Sequence, residues 1–309
     1  MTLKGRDIVN IGDLTLDEID TILRTAEDMV PVARGESKSK IMDGKVLASL
    51  FFEASTRTRL SFETAMHRLG GSVITIAGLE GTSLIKGETL ADTIRMADAY
   101  SDIITLRHPR EGAARMSATF ARAPIINGGD GAGQHPTQTL LDLFTIKQSL
   151  GDIGKRHITI VGDLRYGRTV HSLSLALGRM GASMSFVAPD IIQMPDHIIS
   201  DLRDMGASVR KTSDLVSEIP NSDVIYMTRI QKERFAEEEE YRKVAGAFKL
   251  DIKMIENARE NMIVMHPLPR VDEIHPEIDP TKHAAYFRQA FNGVPVRMAL
   301  LKLVLEGPQ

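Results

Sequence analysis

The 309-residue sequence has no cysteine, which excludes disulfides, thiolate-bound metals and a thiol nucleophile, and fits a cytoplasmic location. No apolar run is long enough to cross a bilayer, and the opening MTLKGRDIVN has no signal-peptide core, so neither a membrane span nor secretion is expected. Charge of one sign is not in excess. With 38 basic and 41 acidic residues the formal charge is −3, which does not favour nucleic acid or an anionic membrane, so any positive field must be local. Repeats, low-complexity tracts and a Pro/Gly/Ser linker are also absent. What remains, 42% hydrophobic and 26% charged, is the composition of a globular chain long enough for two domains.

Short β-branched runs alternate with longer helical patterns throughout, the signature of α/β architecture with mostly parallel sheets. KVLASLFF, SVITIAG, DIITLRH and APIING read as buried strands of a first doubly wound domain, residues 1–150. A helix is expected over Arg59 to Leu69, where Phe62, Ala65, Met66 and Leu69 share a face, and another in HPTQTLLDLFTIKQSLG, where Pro136 suits a first helical position. HITIVGD, ASMSFVAPD, ASVRKT, DVIYMTR and MIVMHPL start afresh as strands of a second such domain, 151–309, with Val170, Leu173, Leu177 and Met180 forming one helical stripe. A last helix is expected around Val296 to Leu305 after a break at Gly293 and Pro295, within a C-terminal segment from about 285 that returns to the first domain.

In open parallel sheets ligands bind outside the carboxyl ends of the strands, and the polar residues are placed accordingly. Ser55 to Thr58, Arg107 with His108, GGDGAGQHPTQ, Asp163 to Arg168, Thr228 with Arg229 and Gln231, and His266 to Arg270 each follow or end an expected strand. Six ends carrying Arg, His or Gln argue for a cleft facing an anion. In STRTR, a helix N-terminus with Ser and Thr hydroxyls and a forked Arg57 suits phosphate. The plainer reading is an N-cap Ser55 with two solvated arginines. His135 before Pro136 sits where a helix terminus favours neutral imidazole, a donor able to polarise a carbonyl, although a capping or core role is the commoner fate of a lone His. Arg168 at a helix start suits a carboxylate. Lys86 lies in a glycine-flanked loop, and EEEEYRK reads as a solvated face or mobile loop.

Two glycine patterns raise a different possibility. GDGAGQ lacks the third glycine of a dinucleotide fingerprint, and Gly162 to Gly167 has neither a central glycine nor the lysine of a P-loop. A nicotinamide-dependent oxidoreductase would have to bind its cofactor at Gly162 to Gly167.

FFEASTRTRLSFETAMHRLGG, KGETLADT, RHPREGAAR, GDGAGQHPTQTLLDLFTI, VGDLRYGRTVHSL, YMTRIQKER and HPLPRVDEI together resemble the aspartate carbamoyltransferase family of pyrimidine synthesis, nearly end to end. Ornithine carbamoyltransferases share the S-x-R-T-R turn and HPxQ, which keeps ornithine or another amine as the alternative acceptor, but they usually have a cysteine-containing HCLP where this chain reads HPLP, so that alternative recedes. The resemblance implies the carbamoyltransferase fold, two α/β domains joined by interdomain helices, with carbamoyl phosphate bound by the first and L-aspartate by the second. It implies that Ser55, Thr56, Arg57 and Thr58 hold the phosphate, and that Arg107, His135 and Gln138 engage the carbamoyl group. By the same resemblance Arg168, Arg229 and Gln231 hold aspartate, and Pro267 and Leu268 contribute backbone, Leu268 also towards carbamoyl phosphate. Ser83 and Lys86, in a loop slightly shorter than the family's, resemble residues inserted from a neighbouring subunit of a homotrimer. Arg57, Thr58, Lys86, Arg107 and His135 are the implied catalytic set. No cofactor or metal is implied for this chain, and a zinc-containing regulatory chain would be a separate partner.

Overall fold

The computed structural model describes residues 3–80, 82–131, 133–230, 237–244 and 246–307. The chain divides into two compact units, Met1–Phe144 with Phe291–Gln309, and Thr145–Ala290.

In the first unit the β-branched runs form β1 (Val46–Phe51), β2 (Ser72–Ala77), β3 (Ile103–His108) and β4 (Ile125–Asp130), a parallel sheet in the order β2-β1-β3-β4. Parallel neighbours need crossovers, and α2 (Thr56–Arg68), α3 (Leu90–Tyr100) and α4 (Ala113–Ala118) provide them after α1 (Leu16–Arg34). Leu47, Ala48, Leu50, Ile103, Ile104 and Leu106 are buried, as expected of central strands covered on both faces. The β4 edge is closed by Ile8, whose amide donates to the Ile125 carbonyl at 2.8 Å and whose carbonyl accepts from Asn127 at 2.9 Å.

Helix α2 begins at Thr56, three residues before the start expected from its apolar stripe. Ser55 is extended at φ −159°, so STRT is the cap and first turn of the helix and not a loop before it. Phe62, Ala65 and Met66 are buried from α2, and Leu69 at its C-cap is buried with them.

The second unit contains β5 (His157–Val161), β6 (Ser183–Val187), β7 (Val209–Thr212), β8 (Val224–Met227) and β9 (Ile263–Met265), all parallel in the order β7-β6-β5-β8-β9. Both sheets are therefore doubly wound, with the strand order reversing between β1 and β3 in one and between β5 and β8 in the other. Helix α5 (Pro136–Leu150) precedes β5, and α6 (Arg168–Arg179), α7 (Asp196–Asp204) and α8 (Leu215–Glu218) connect the strands. Val170, Leu173 and Leu177 of α6 are fully buried, while Met180 is its partly exposed C-cap. The acidic run EEEEYRK is not a loop: it opens α9 (Glu238–Val244), where Arg242 pairs with Glu238 at 3.4 Å.

The expected break before the last helix does not occur. Helix α10 runs unbroken from Tyr286 to Leu305, through Gly293 and Pro295. An interior proline costs about 3 kcal/mol. Val296, Met298, Ala299, Leu300, Leu301, Leu303 and Val304 are all at most 1% exposed, and burying several such side chains at about 1.5–3 kcal/mol each outweighs that cost.

After β9 the chain turns through His266-Pro267-Leu268-Pro269, with Leu268 at φ +55°, a left-handed conformation that disfavours a residue with a Cβ. The turn is fixed by His266, which is 1% exposed: its Nδ1 accepts from the Leu268 amide at 2.8 Å, and its Nε2 lies 3.3 Å from Glu273 Oε1. Glu273 Oε2 accepts from the amides of Val271 and Asp272 at 2.7 and 2.8 Å. Burial alone would raise the Glu273 pKa, but His266 and these amides override it and lower it from 4.5 to about 2. A carboxylate with a depressed folded-state pKa stabilises the protein above its unfolded value, and that stabilisation is lost as the pH falls towards the folded value. Glu273→Gln should thus lower the unfolding free energy by about 3 kcal/mol at neutral pH. In urea titrations across a pH series, the gap between wild type and variant should close as the pH drops from about 4.5 to about 2.

Candidate active site

At the first reversal point, β1 leads into the N-terminus of α2 while Arg107, the penultimate residue of β3, lies opposite Phe51 in the strand register. Ser55 occupies the N-cap, yet its hydroxyl makes no capping hydrogen bond, so the capping reading of this turn does not describe the side chain. Thr58 is buried, Ser55 half-buried, and Thr56 and Arg57 exposed. Arg107 is largely buried, donating from Nη1 to the Gly128 carbonyl at 3.1 Å and pairing through Nη2 with Glu53 at 3.0 Å. Burial lowers its pKa, Glu53 opposes that, and the like charge of Arg57 adds to the lowering. Two guanidinium groups close enough to repel, beside the positive end of a helix, form a site for an anion.

From β4 the chain passes through GGDGAGQ into α5. Asn127 Nδ2 donates to Asp130 Oδ1 at 3.0 Å, and Asp130 also accepts from the amides of Gln134 and Gly112, both at 2.9 Å. Gly131, at φ +48°, allows this loop to approach Pro109 to Glu111 so closely that a Cβ would lie 2.6 Å from the Glu111 nitrogen. Gly131 is thus required by chain packing. The loop delivers His135, 6% exposed, whose carbonyl accepts from the amides of Gln138 and Thr139 at 3.0 and 3.3 Å and so caps α5. Gln138, half-buried one turn on, donates from Nε2 to Asp142 at 2.9 Å.

The second unit repeats the arrangement. β5 is followed by Gly162, φ +121°, where a Cβ would meet the Thr228 carbonyl at 2.3 Å, so this glycine serves close passage of the chain leaving β8. Asp163, fully buried, accepts from the Tyr166 amide at 3.0 Å and shapes the loop that presents Arg168 as the first residue of α6. Arg229 follows β8, and Pro267 and Leu268 follow β9, so the three strands β5, β8 and β9 bring these residues to one edge. All four are half-buried.

The helices at these strand ends share an anomaly. α1, α3 and α7 carry Asp or Glu in their first turns, as helix dipoles favour. α2, α5 and α6 have none, and α2 and α6 place arginine there. A cation at this end is unfavourable by about 0.3–1 kcal/mol unless an anion joins it.

Some expected residues do not join either set. Ser83 and Lys86 lie in an exposed 3₁₀ turn between β2 and α3, and among the described residues neither side chain is hydrogen-bonded or ion-paired. Gln231 lies outside the described residues. Arg270 and His266, counted at sequence level among the cleft cations, are structural: Arg270 grips Asp279 through both terminal nitrogens, donates to the Tyr286 hydroxyl and stacks on the rings of Tyr286 and Phe287, while His266 holds the Leu268 turn. The sequence reading also missed three carboxylates. Glu53 stands two residues before Ser55 and Asp142 four after Gln138, spacings that could have pointed to them, whereas nothing local marks Glu273.

The first part of the chain, residues 6–148, matches the family model "Aspartate/ornithine carbamoyltransferase, carbamoyl-P binding domain", and residues 154–304 match "Aspartate/ornithine carbamoyltransferase, Asp/Orn binding domain". The chain is 54% identical over 305 residues to the aspartate carbamoyltransferase catalytic subunit of Thermococcus gammatolerans, covering 99% of each, and 56% identical over 300 residues to that of Methanothermobacter thermautotrophicus, covering 97% and 96%. Aspartate transcarbamoylase from Trypanosoma cruzi, solved with carbamoyl phosphate and aspartate, superposes with a TM-score of 0.93 at 41% identity over 98% of both chains. The catalytic subunit of M. jannaschii aspartate transcarbamoylase gives 0.91 at 48% identity, over 97% of this chain and 98% of that one. The chain belongs to the aspartate/ornithine carbamoyltransferase family, alongside its aspartate carbamoyltransferase catalytic subunits.

Proposed function

We propose that the chain transfers the carbamoyl group of carbamoyl phosphate to the amine of L-aspartate, giving N-carbamoyl-L-aspartate and phosphate for pyrimidine synthesis in the cytoplasm. The observation that carries this is the arginine-bearing helix N-terminus at each reversal point, α2 beside Arg107 and α6 beside Arg229, which gives one anion site per unit. A relative of the same fold binds one anionic substrate of each kind.

In this reading residues 1–150 bind carbamoyl phosphate and 151–309 bind aspartate. The Ser55, Thr56, Arg57 and Thr58 turn holds the phosphate. Thr58, Arg107 and His135, the last as neutral imidazole, donate to the carbonyl oxygen, and Gln138 meets the carbamoyl nitrogen. Arg168, Arg229 and Gln231 hold the two carboxylates of aspartate, and Pro267 and Leu268 offer main-chain carbonyls to the reacting nitrogens. The neutral amine forms a C–N bond as the carbonyl electrons move onto oxygen. Collapse then breaks the C–O bond, phosphate leaves with its electron pair, and the amine proton passes to it. Each well-aimed oxyanion donor contributes about 3 kcal/mol. Ser83 and Lys86 complete the site of a neighbouring copy in a homotrimer, and any cysteine-bound zinc belongs to a separate regulatory chain, since this one has no cysteine.

An assay with aspartate and ornithine side by side tests the reading. Arg168 and Arg229 should attract a second carboxylate and repel a second ammonium, so aspartate should be turned over and ornithine hardly at all; equal rates would overturn the assignment. Arg57→Ala should lower kcat by about a hundredfold or more with unchanged thermal unfolding, because the lost donor faces the departing phosphate. Arg57→Lys should rescue poorly, since an ammonium cannot form the bidentate fork.

Sharing of the site is tested by reassembly. Lys86→Ala and Arg57→Ala chains should each be nearly inactive alone. Dissociated and reassembled together, they should regain part of the wild-type rate, because some interfaces join an intact loop to an intact α2 turn. Verified mixed oligomers no more active than their parents would place Lys86 in its own chain's site.

A further inference from the structure

An amide side chain has a donor at one end and an acceptor at the other, and a flip exchanges them. A carbamoyl group differs from an acetyl group by an NH2 that donates, so a residue recognising it must present an acceptor. Gln138 can do so only in one of its two orientations. That orientation is set from behind: Nε2 donates to Asp142 Oδ1 at 2.9 Å, one turn along α5. An ionised carboxylate accepts and cannot donate, so it selects the orientation that leaves Gln138 Oε1 for the ligand.

Asp142 is fully exposed to none of the solvent, at 0%, and a buried carboxylate needs a compensating cation. Arg297 of α10, only 2% exposed, is a buried cation near enough to interact electrostatically with it. Burial lowers its pKa to about 9, and the charge of Asp142 opposes the lowering. Its Nη2 donates to Thr137 Oγ1 at 3.1 Å, beside Gln138, and its guanidinium lies 4.9 Å from the ring centroid of Phe62 in α2. Gly293, one turn earlier on α10, makes room, since a Cβ there would lie 2.2 Å from Nη1. One buried arginine thus touches both the helix that begins with the STRT turn and the helix that carries Gln138.

We propose that Asp142, balanced by Arg297, is a positioning residue that sets the amide orientation of Gln138 and so makes the enzyme prefer a carbamoyl to an acetyl donor. This rests on the carbamoyl-transfer reading above. The alternative is an ion pair that only packs α5 against α10.

The test measures kcat and KM with carbamoyl phosphate and with acetyl phosphate, aspartate being the acceptor for both. Wild type should prefer carbamoyl phosphate; a wild type that uses neither donor overturns the functional reading itself, before any variant is made. Asp142→Asn keeps the shape but can present either a donor or an acceptor to Gln138. It should lower kcat/KM for carbamoyl phosphate about tenfold, the worth of one hydrogen bond, and leave acetyl phosphate nearly unchanged. A wild-type preference ratio, or equal loss with both donors, would show a packing role and overturn the proposal. Wild type complexed with phosphonoacetamide gives a reading that needs no variant to fold. Gln138 Oε1 should face the ligand NH2 while Nε2 stays on Asp142, and an amide turned away from the ligand would overturn the proposal equally.

Discussion

Positive charge gathered at helix N-termini is the constraint to which the neighbouring structure answers. Arg57 in the first turn of α2 and Arg168 at the head of α6 sit where the dipole is already positive, and Arg107 lies near the end of β3 beside one of them. Where such charges lie close, as Arg57 and Arg107 do, they repel by an amount that grows as water is excluded. The protein limits this in two ways. Glu53 pairs with Arg107 from one side, and α2, α5 and α6, unlike α1, α3 and α7, carry no acid in their first turns, so no first-turn carboxylate competes for the cations. In the proposed reading the resulting imbalance is released when an anionic substrate binds, which links affinity to the same geometry that aligns the reacting atoms.

Holding such a set in place falls to carboxylates that do not meet substrate in the proposed reading. Asp130 folds the GGDGAGQ loop, Asp163 the loop before Arg168, and Glu273 with His266 the left-handed turn at Leu268. Each accepts from backbone amides or fixes a group that does. These loops thereby gain the precision of the strands they follow, which a functional group needs if a misplacement of about 1 Å costs a hundredfold in rate.

The architecture was legible because parallel strands must be runs of Val, Ile and Leu separated by helices, and all nine expected runs are strands, although β2, read as buried, lies at a sheet edge and is largely exposed. Strand ends could then be read as ligand-facing, which singled out Ser55 to Thr58, Arg107, His135, Arg168 and Arg229. The same rule over-reached at Arg270 and His266, because a strand end says where a residue lies and not which partner claims it. Asp279, nine positions beyond Arg270, is the partner that no periodicity reveals. Pro295 misled for a related reason: its local cost is fixed, whereas the burial that outweighs it depends on a fold not yet assembled. Glu53, Asp142 and Glu273 went unnoticed because a carboxylate looks solvated until tertiary structure buries it beside an arginine, a glutamine or a histidine.

The proposed division of labour between the units offers a way for one fold to accommodate different amines. In the proposed reading the STRT turn and the capped α5 serve the carbamoyl donor, whose chemistry does not change with the acceptor. Acceptor choice then reduces to the charge presented at the ends of β5, β8 and β9: two arginines suit a second carboxylate, and the HPLP turn there contains no thiol. Strand-end loops can vary in this way because the sheet beneath them bears the packing, while Gly162 and the His266–Glu273 pair hold the backbone path. Changing the acceptor would require altering the cations without disturbing those supports, since a displaced Leu268 turn would misplace the attacking amine whatever side chain it carried.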